Sequence, residues 1–227
     1  MNAASPNPEG YCSHNPATGA RIRIGVMGSA APIADPQLAA QCRGLGHAIA
    51  ENGCSVLTGA CPGIPHEVVL GAKAANGATI GISPALHLKE HITTFNSPYK
   101  EYDMMIYTGL GLMGREIINI RSSDIVVVVG GRCGTLGEFA IAFEEGKLIG
   151  VLTGTGGITA LLPQLVDALD KKTGSEVIYD ADPGNLVARL VQRFQSTDYE
   201  CSCKATSCGC CEQGVPCPKI GPRPPDR

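Results

Sequence analysis

A chain of 227 residues fits one α/β domain with tails better than two domains. Its net charge of -3, with no Lys/Arg cluster anywhere, excludes nucleic acid and anionic membrane surfaces as expected partners. Hydrophobic residues make up 44% and aromatics only 4%, so the core has to rest on Val, Ile, Leu and Ala.

Met1 to Ala20 is rich in Pro, Asn and Gly and reads as a disordered arm. It has neither the basic n-region nor the apolar h-region of a signal peptide, and no apolar run approaches the roughly 20 residues of a membrane span. A cytoplasmic location is the expectation. Arg21 to Met27 predicts a first strand, ended by Gly28-Ser29. Pro36 to Asn52 carries Leu38, Cys42, Leu45 and Ile49 at helical spacing and stops at Gly53. Cys54 to Leu57 predicts a second strand, and Thr58 to Gly63 a glycine-bearing turn. A helix follows through Val68, Val69, Ala72 and Ala75, then a strand from Ala78 to Ile82.

Ser83 to Glu101 is less regular. Asp103 to Tyr107 predicts a fourth strand and Met113 to Ser122 a helix. The β-branched run Asp124 to Val129 suits the buried centre of a parallel sheet. After Gly130 to Gly134, Thr135 is expected to open and cap a helix that runs to Glu145. Lys147 to Leu152, Thr159 to Lys172, Glu176 to Tyr179 and Pro183 to Gln195 complete the alternation. The pattern implies a doubly wound parallel sheet over residues 21–196, flanked by the arm at 1–20 and a Cys-rich tail at 197–227.

In such sheets ligands bind beyond the carboxyl ends of the strands. Three glycine-bearing turns fall there, at Gly25 to Ser29, at Thr58 to Gly63, and at Gly130-Gly131-Arg132-Cys133-Gly134-Thr135. Glycines let backbone approach an anion, and the following helix presents free N–H groups. No turn matches G-x-G-x-x-G, and none carries the Lys-Ser/Thr pair of a P-loop. By itself the third turn is equally read as a tight strand-to-helix connection.

Met113 to Asp124, with Arg115 in its helix, runs directly into the central strand and then into Gly130-Gly131-Arg132-Cys133-Gly134-Thr135-Leu-Gly-Glu138. This arrangement resembles the LOG (Lonely Guy) family, once misnamed as lysine decarboxylases, and its sisters, which include molybdenum-cofactor carrier proteins. The family pattern is a helix bearing an Arg, then Asp, a hydrophobic strand and P-G-G-x-G-T-x-x-E. The resemblance covers about Arg21 to Phe194 in layout and is specific between Met113 and Glu138. It implies a single Rossmann-like domain of the SLOG type, commonly a homodimer or higher homo-oligomer through the helices after the second and central strands.

For function, the resemblance implies a nucleotide-binding protein that hydrolyses the N-glycosidic bond of nucleoside 5′-monophosphates with no cofactor. Arg115 and Glu138 take the catalytic places, and Gly28, Ser29, Gly59, Gly130, Gly131, Gly134 and Thr135 hold phosphate or nucleotide. Departures point to the sister branch. Gly130 stands for the family's Pro, Arg132 for its second Gly, and Glu116 for the Lys after the catalytic Arg; Gly63-Ile64-Pro65-His66 occupies the second turn. The alternative is a non-catalytic carrier or sensor of a phosphate-bearing cofactor such as molybdopterin or the molybdenum cofactor. Arg115 and Glu138 also fit an ordinary ion pair across two helix starts.

Two further signals carry possible metal chemistry. His87-Leu-Lys-Glu90-His91 matches H-x-x-E-H, yet its neighbours favour a loop or one short turn bearing two solvated histidines near the pocket mouth. Cys201, Cys203, Cys208, Cys210, Cys211 and Cys217 are dense enough to wrap a soft ion such as zinc or copper(I). They lack the paired C-x-x-C knuckles of a zinc ribbon. Cys133 reads as a packing or incidental thiol, since no His lies near it in sequence.

Overall fold

A computed structural model of the chain describes Asn15 and residues 19–196. The strands are β1 (Arg23–Gly28), β2 (Ser55–Thr58), β3 (Ala78–Ser83), β4 (Met104–Tyr107), β5 (Ile125–Val129), β6 (Leu148–Leu152) and β7 (Glu176–Asp180). Between them run α1 (Pro36–Glu51), α2 (Ile64–Ala74), α3 (Leu88–Thr93), α4 (Gly111–Arg121), α5 (Cys133–Glu144), α6 (Leu162–Leu169) and α7 (Pro183–Ser196). The strands form one seven-stranded sheet in the order β4-β3-β2-β1-β5-β6-β7, and every pairing is parallel. This is the doubly wound α/β fold expected from the strand-helix alternation.

The side-chain period of two sends alternate residues of each strand to opposite faces. In β5, Ile125, Val127 and Val129 join Cys42, Leu45 and Ile49 of α1, Val68 and Val69 of α2, and Leu186 and Leu190 of α7. Val126 and Val128 point the other way, to Ile120 of α4, Phe139 and Phe143 of α5 and Leu162 of α6. Both faces of β5 are thereby covered, which is why its sequence reads as an unbroken apolar run.

Local chemistry sets the helix starts. Asp35 caps α1 by accepting the Gln37 N–H at 2.9 Å, with Pro36 at the first helical position. The span expected as one helix from Thr159 to Lys172 divides into a 3₁₀ turn at Gly157–Ala160 and the short α6, which stops at Asp170 in the left-handed region. The irregular stretch after β3 contains α3. At the opposite end of the sheet from the strand ends that carry the loops, Asp124 accepts from the Arg23 backbone N–H at 2.9 Å and from the Arg23 guanidinium. Asn15 also donates to Asp124, at 2.8 Å. Among the described residues no helix is long and apolar enough to cross a membrane.

Strand order reverses between β1 and β5, because β1 continues to β2 on one side while β5 continues to β6 on the other. The loops leaving these two neighbours therefore diverge to opposite faces and leave a crevice between them.

Candidate functional site

A cavity of about 250 Å³ fills that crevice. Its walls are Gly28 and Ser29 after β1, Gly59 and Cys61 after β2, Arg115 and Glu116 of α4, and Gly134, Thr135 and Glu138 of α5. Val26, Met27, Ala30, Pro65, Leu112, Met113 and Arg132 complete the lining. Seven of the nine residues expected from sequence to form the site thus meet in one cavity. The other two, Gly130 and Gly131, shape the loop behind it. Two larger grooves, of about 660 and 670 Å³, lie elsewhere and contain none of these residues.

The loop after β5 depends on two left-handed glycines. Gly130 has φ 51° and Gly131 φ 89°, and a Cβ on Gly131 would collide with the Thr135 side chain. The loop after β6 braces it. Thr155 Oγ1 accepts the Gly130 N–H at 2.9 Å and donates to the Leu152 carbonyl at 2.6 Å, and the Ile158 N–H donates to the Gly131 carbonyl at 3.1 Å.

Helix α5 begins two residues before the expected Thr135. Arg132 occupies the cap position without a side-chain cap bond, and its carbonyl takes the Leu136 N–H. Thr135 is therefore a first-turn residue and not the cap. The amides of Cys133, Gly134 and Thr135 precede Leu136, the first N–H with an intrahelical acceptor, and Gly134 and Thr135 line the cavity. The positive end of a twelve-residue helix opens onto this space.

The same cavity holds three charged side chains, each only 7% exposed: Arg115 and Glu116 of α4, and Glu138 of α5 itself. The Arg115 guanidinium donates through Nη1 to the Ile82 carbonyl at 3.2 Å and through Nη2 to Cys61 Sγ at 3.9 Å. It lies against Gly59 so closely that a Cβ there would overlap it. Its Nε is buried without a partner among the described residues. No direct ion pair joins Arg115 to Glu138, which corrects the ion-pair alternative. Glu138 instead accepts a long bond, 3.4 Å, from Asn119 Nδ2. Burial pushes the Glu138 carboxyl up to about 7; Arg115 and the Asn119 bond oppose the rise, and Glu116 adds to it. Burial likewise raises Glu116, with Arg115 opposing, and raises the Cys61 thiol.

Glu116 and Cys61 belong to the cavity wall although sequence reasoning did not place them there. The available signal was the helical spacing of Arg115, Glu116 and Asn119, which puts all three on one face of α4. A polar trio on one face ordinarily reads as a solvated face, and here that face is buried. Arg121, by contrast, is exposed and pairs with Glu145 at 2.7 Å.

The H-x-x-E-H pentapeptide is not a solvated pair. His91 is fully buried, bonded through Nδ1 to Ser83 Oγ at 2.8 Å and through Nε2 to the Pro98 carbonyl at 2.9 Å. His87 caps the six-residue α3 by accepting the Glu90 N–H. The two rings have separate structural tasks, and among the described residues no three potential metal ligands cluster. The six tail cysteines lie outside the described residues.

Comparison with known proteins finds relatives of the same fold. An uncharacterised protein of Archaeoglobus fulgidus is 33% identical over 131 residues, which cover 58% of this chain and 80% of that protein. The molybdenum cofactor binding protein of Rippkaea orientalis superposes with a TM-score of 0.63 at 31% identity, over 77% of this chain and 98% of that one. The molybdenum cofactor carrier protein of Chlamydomonas reinhardtii gives 0.60 at 32% identity, over 75% and 96% of the two chains. A family model matches residues 21–187, from the start of the sheet into α7 and across every wall of the cavity. By that match the chain belongs to the SLOG cluster4 family.

Proposed function

We propose that the cavity holds a small phosphate-bearing ligand, and that the chain acts as its carrier. The observation that carries this reading is the uncapped first turn of α5, whose amides open onto the crevice beside the left-handed Gly130-Gly131 loop. An anion there meets preorganised N–H donors and the positive end of the helix dipole. Arg115 adds a buried positive charge to the same wall. Likeness to two molybdenum-cofactor-binding proteins supports a phosphate-bearing pterin as the ligand class. Gly134 and Thr135 are assigned to its phosphate, with Gly28, Ser29 and Gly59 lining the remainder.

A second reading is favoured by Glu138. A buried carboxyl held near neutrality beside an arginine is suited to proton transfer or to stabilising an oxocarbenium-like ribose, as hydrolysis of a nucleoside 5′-monophosphate requires. Purified protein incubated with AMP, GMP, CMP and UMP, with chromatography for free base, separates the two. The carrier reading expects no base release but saturable binding of a phosphate-bearing pterin, abolished by Gly131→Ala. Base release by the parent and none by Glu138→Ala would replace the carrier with a phosphoribohydrolase.

A further inference from the structure

Glu116 follows Arg115 in α4 and stands in the cavity wall almost withdrawn from water. Among the described residues its carboxylate makes no hydrogen bond or ion pair, and neither oxygen is sealed away from the cavity. Its neighbours on α5 are two glycines. A Cβ at Gly134 would lie 3.6 Å from Oε1, and one at Gly137 would lie 3.4 Å from Oε2. No side chain of α5 therefore screens the group at these positions.

Arg115 acts on Glu116 through its charge but makes no hydrogen bond to it, its terminal nitrogens donating to Ile82 and Cys61. A carboxylate buried to this degree needs hydrogen-bond donors. Solvent reaches these oxygens through the cavity, so a bound molecule that displaces it has to supply donors in its place. Two carboxylate oxygens accept best from two adjacent N–H groups in a fork. The ligand then carries two unlike groups, an anion for the α5 amides and a pair of N–H donors for Glu116.

We propose that Glu116 is the specificity-determining residue of this pocket and accepts the paired N–H donors of a 2-amino-4-oxo-pyrimidine edge. Guanine nucleotides and phosphate-bearing pterins both present that edge. Adenine offers a donor beside an acceptor there, and an acceptor facing a carboxylate is repelled. The inference rests on the phosphate-binding reading of the cavity and adds which ring that site selects. A ring without the 2-amino group leaves one carboxylate oxygen unpaired and is rejected.

Matched pairs of ligands test it on the full chain. GMP is compared with IMP, which lacks only the 2-amino group, and 6-hydroxymethylpterin phosphate with its 2-deamino analogue, by isothermal titration. The parent is expected to prefer the amino member of each pair on the order of 10- to 100-fold, the range for one bidentate contact. In Glu116→Gln and Glu116→Ala that ratio is expected to fall below about threefold. The ratio is insensitive to general repulsion between Glu116 and phosphate, which acts equally on both members of a pair. Stronger binding of the GMP pair or of the pterin pair identifies the source of the ring. Binding without preference in the parent, or a preference that survives in both variants, overturns the role of Glu116 alone. Failure of every phosphate-bearing probe to bind overturns the pocket reading and this role together.

Discussion

Glu138 keeps its proton into the neutral range because burial strips water from the ionised form, and the charge of Arg115 with one long bond from Asn119 offsets this only in part. The native value lies above that of an unfolded carboxyl, so the native state binds more protons between the ordinary carboxylate value and about 7. Stability consequently falls as pH rises through that window, and the loss is complete above it. At 1.36 kcal/mol per pH unit, the full effect is on the order of 3 kcal/mol. Glu138→Gln removes the ionisation, so its stability relative to the parent should grow by about 1–3 kcal/mol between pH 5 and pH 8. Urea denaturation of both proteins at the two pH values measures this, and a difference that does not grow with pH would contradict it. At this scale the sequence was legible where a residue type has one common use. Glycines after strands and the Arg115 and Glu138 spacing led to the cavity. His91 and Glu116 were not legible, because burial of a polar group depends on what packs over it from distant segments. His91 is enclosed by Ser83 and Pro98, and Glu116 by the glycine face of α5.

Helix α5 and its loop act as one unit held from behind. Thr155, on the loop after β6, satisfies the Gly130 amide and anchors itself to the Leu152 carbonyl. Thr155→Val keeps the volume but strands a buried amide, which costs about 1–3 kcal/mol. The same change frees the loop to leave its left-handed conformation. Thermal unfolding should show the stability loss, and phosphate-ligand affinity measured by titration should fall by about tenfold, or 1.4 kcal/mol. Affinity equal to the parent would mean that the brace has no part in shaping the loop. Helix existence was readable from periodicity for α1, α4 and α5, whereas starts and stops were less so. The start at Cys133 depends on how Arg132 leaves the loop, and α6 is cut short by the left-handed Asp170. Neither is visible as a break in apolar spacing.

At the scale of the whole molecule, sheet order decides where a ligand is held. The cavity exists because β1 and β5 are neighbours whose following helices pack on opposite faces. Alternation of strands and helices announced a parallel sheet, and the β-branched run of β5 announced its centre. The position of β1 beside β5 was not readable residue by residue, since no local pattern encodes which strand becomes whose neighbour. Native-state hydrogen exchange should rank the strands by this order. Amides of β1 and β5, buried on both faces, should exchange only through global opening, and those of the edge strand β4, with Met104 and Ile106 exposed, through smaller local openings. Comparable protection of β4 and β5 would contradict that ranking.

The pairing of Ile24 with Ile125 has a consequence for synthesis of the chain. One edge of β1 receives its partner only after roughly 100 further residues have been added, on the order of 5–20 s at about 5–20 residues per second. Until β5 emerges, β1 has only β2 to pair with, and the strands already made, β1 to β4, carry no ligand cradle. The loop of Gly130 and Gly131 arrives last among the walls, together with α5. A ribosome paused before β5 would therefore display an unfinished edge ready to pair with another nascent chain, and the ligand has no part in folding until that edge is closed.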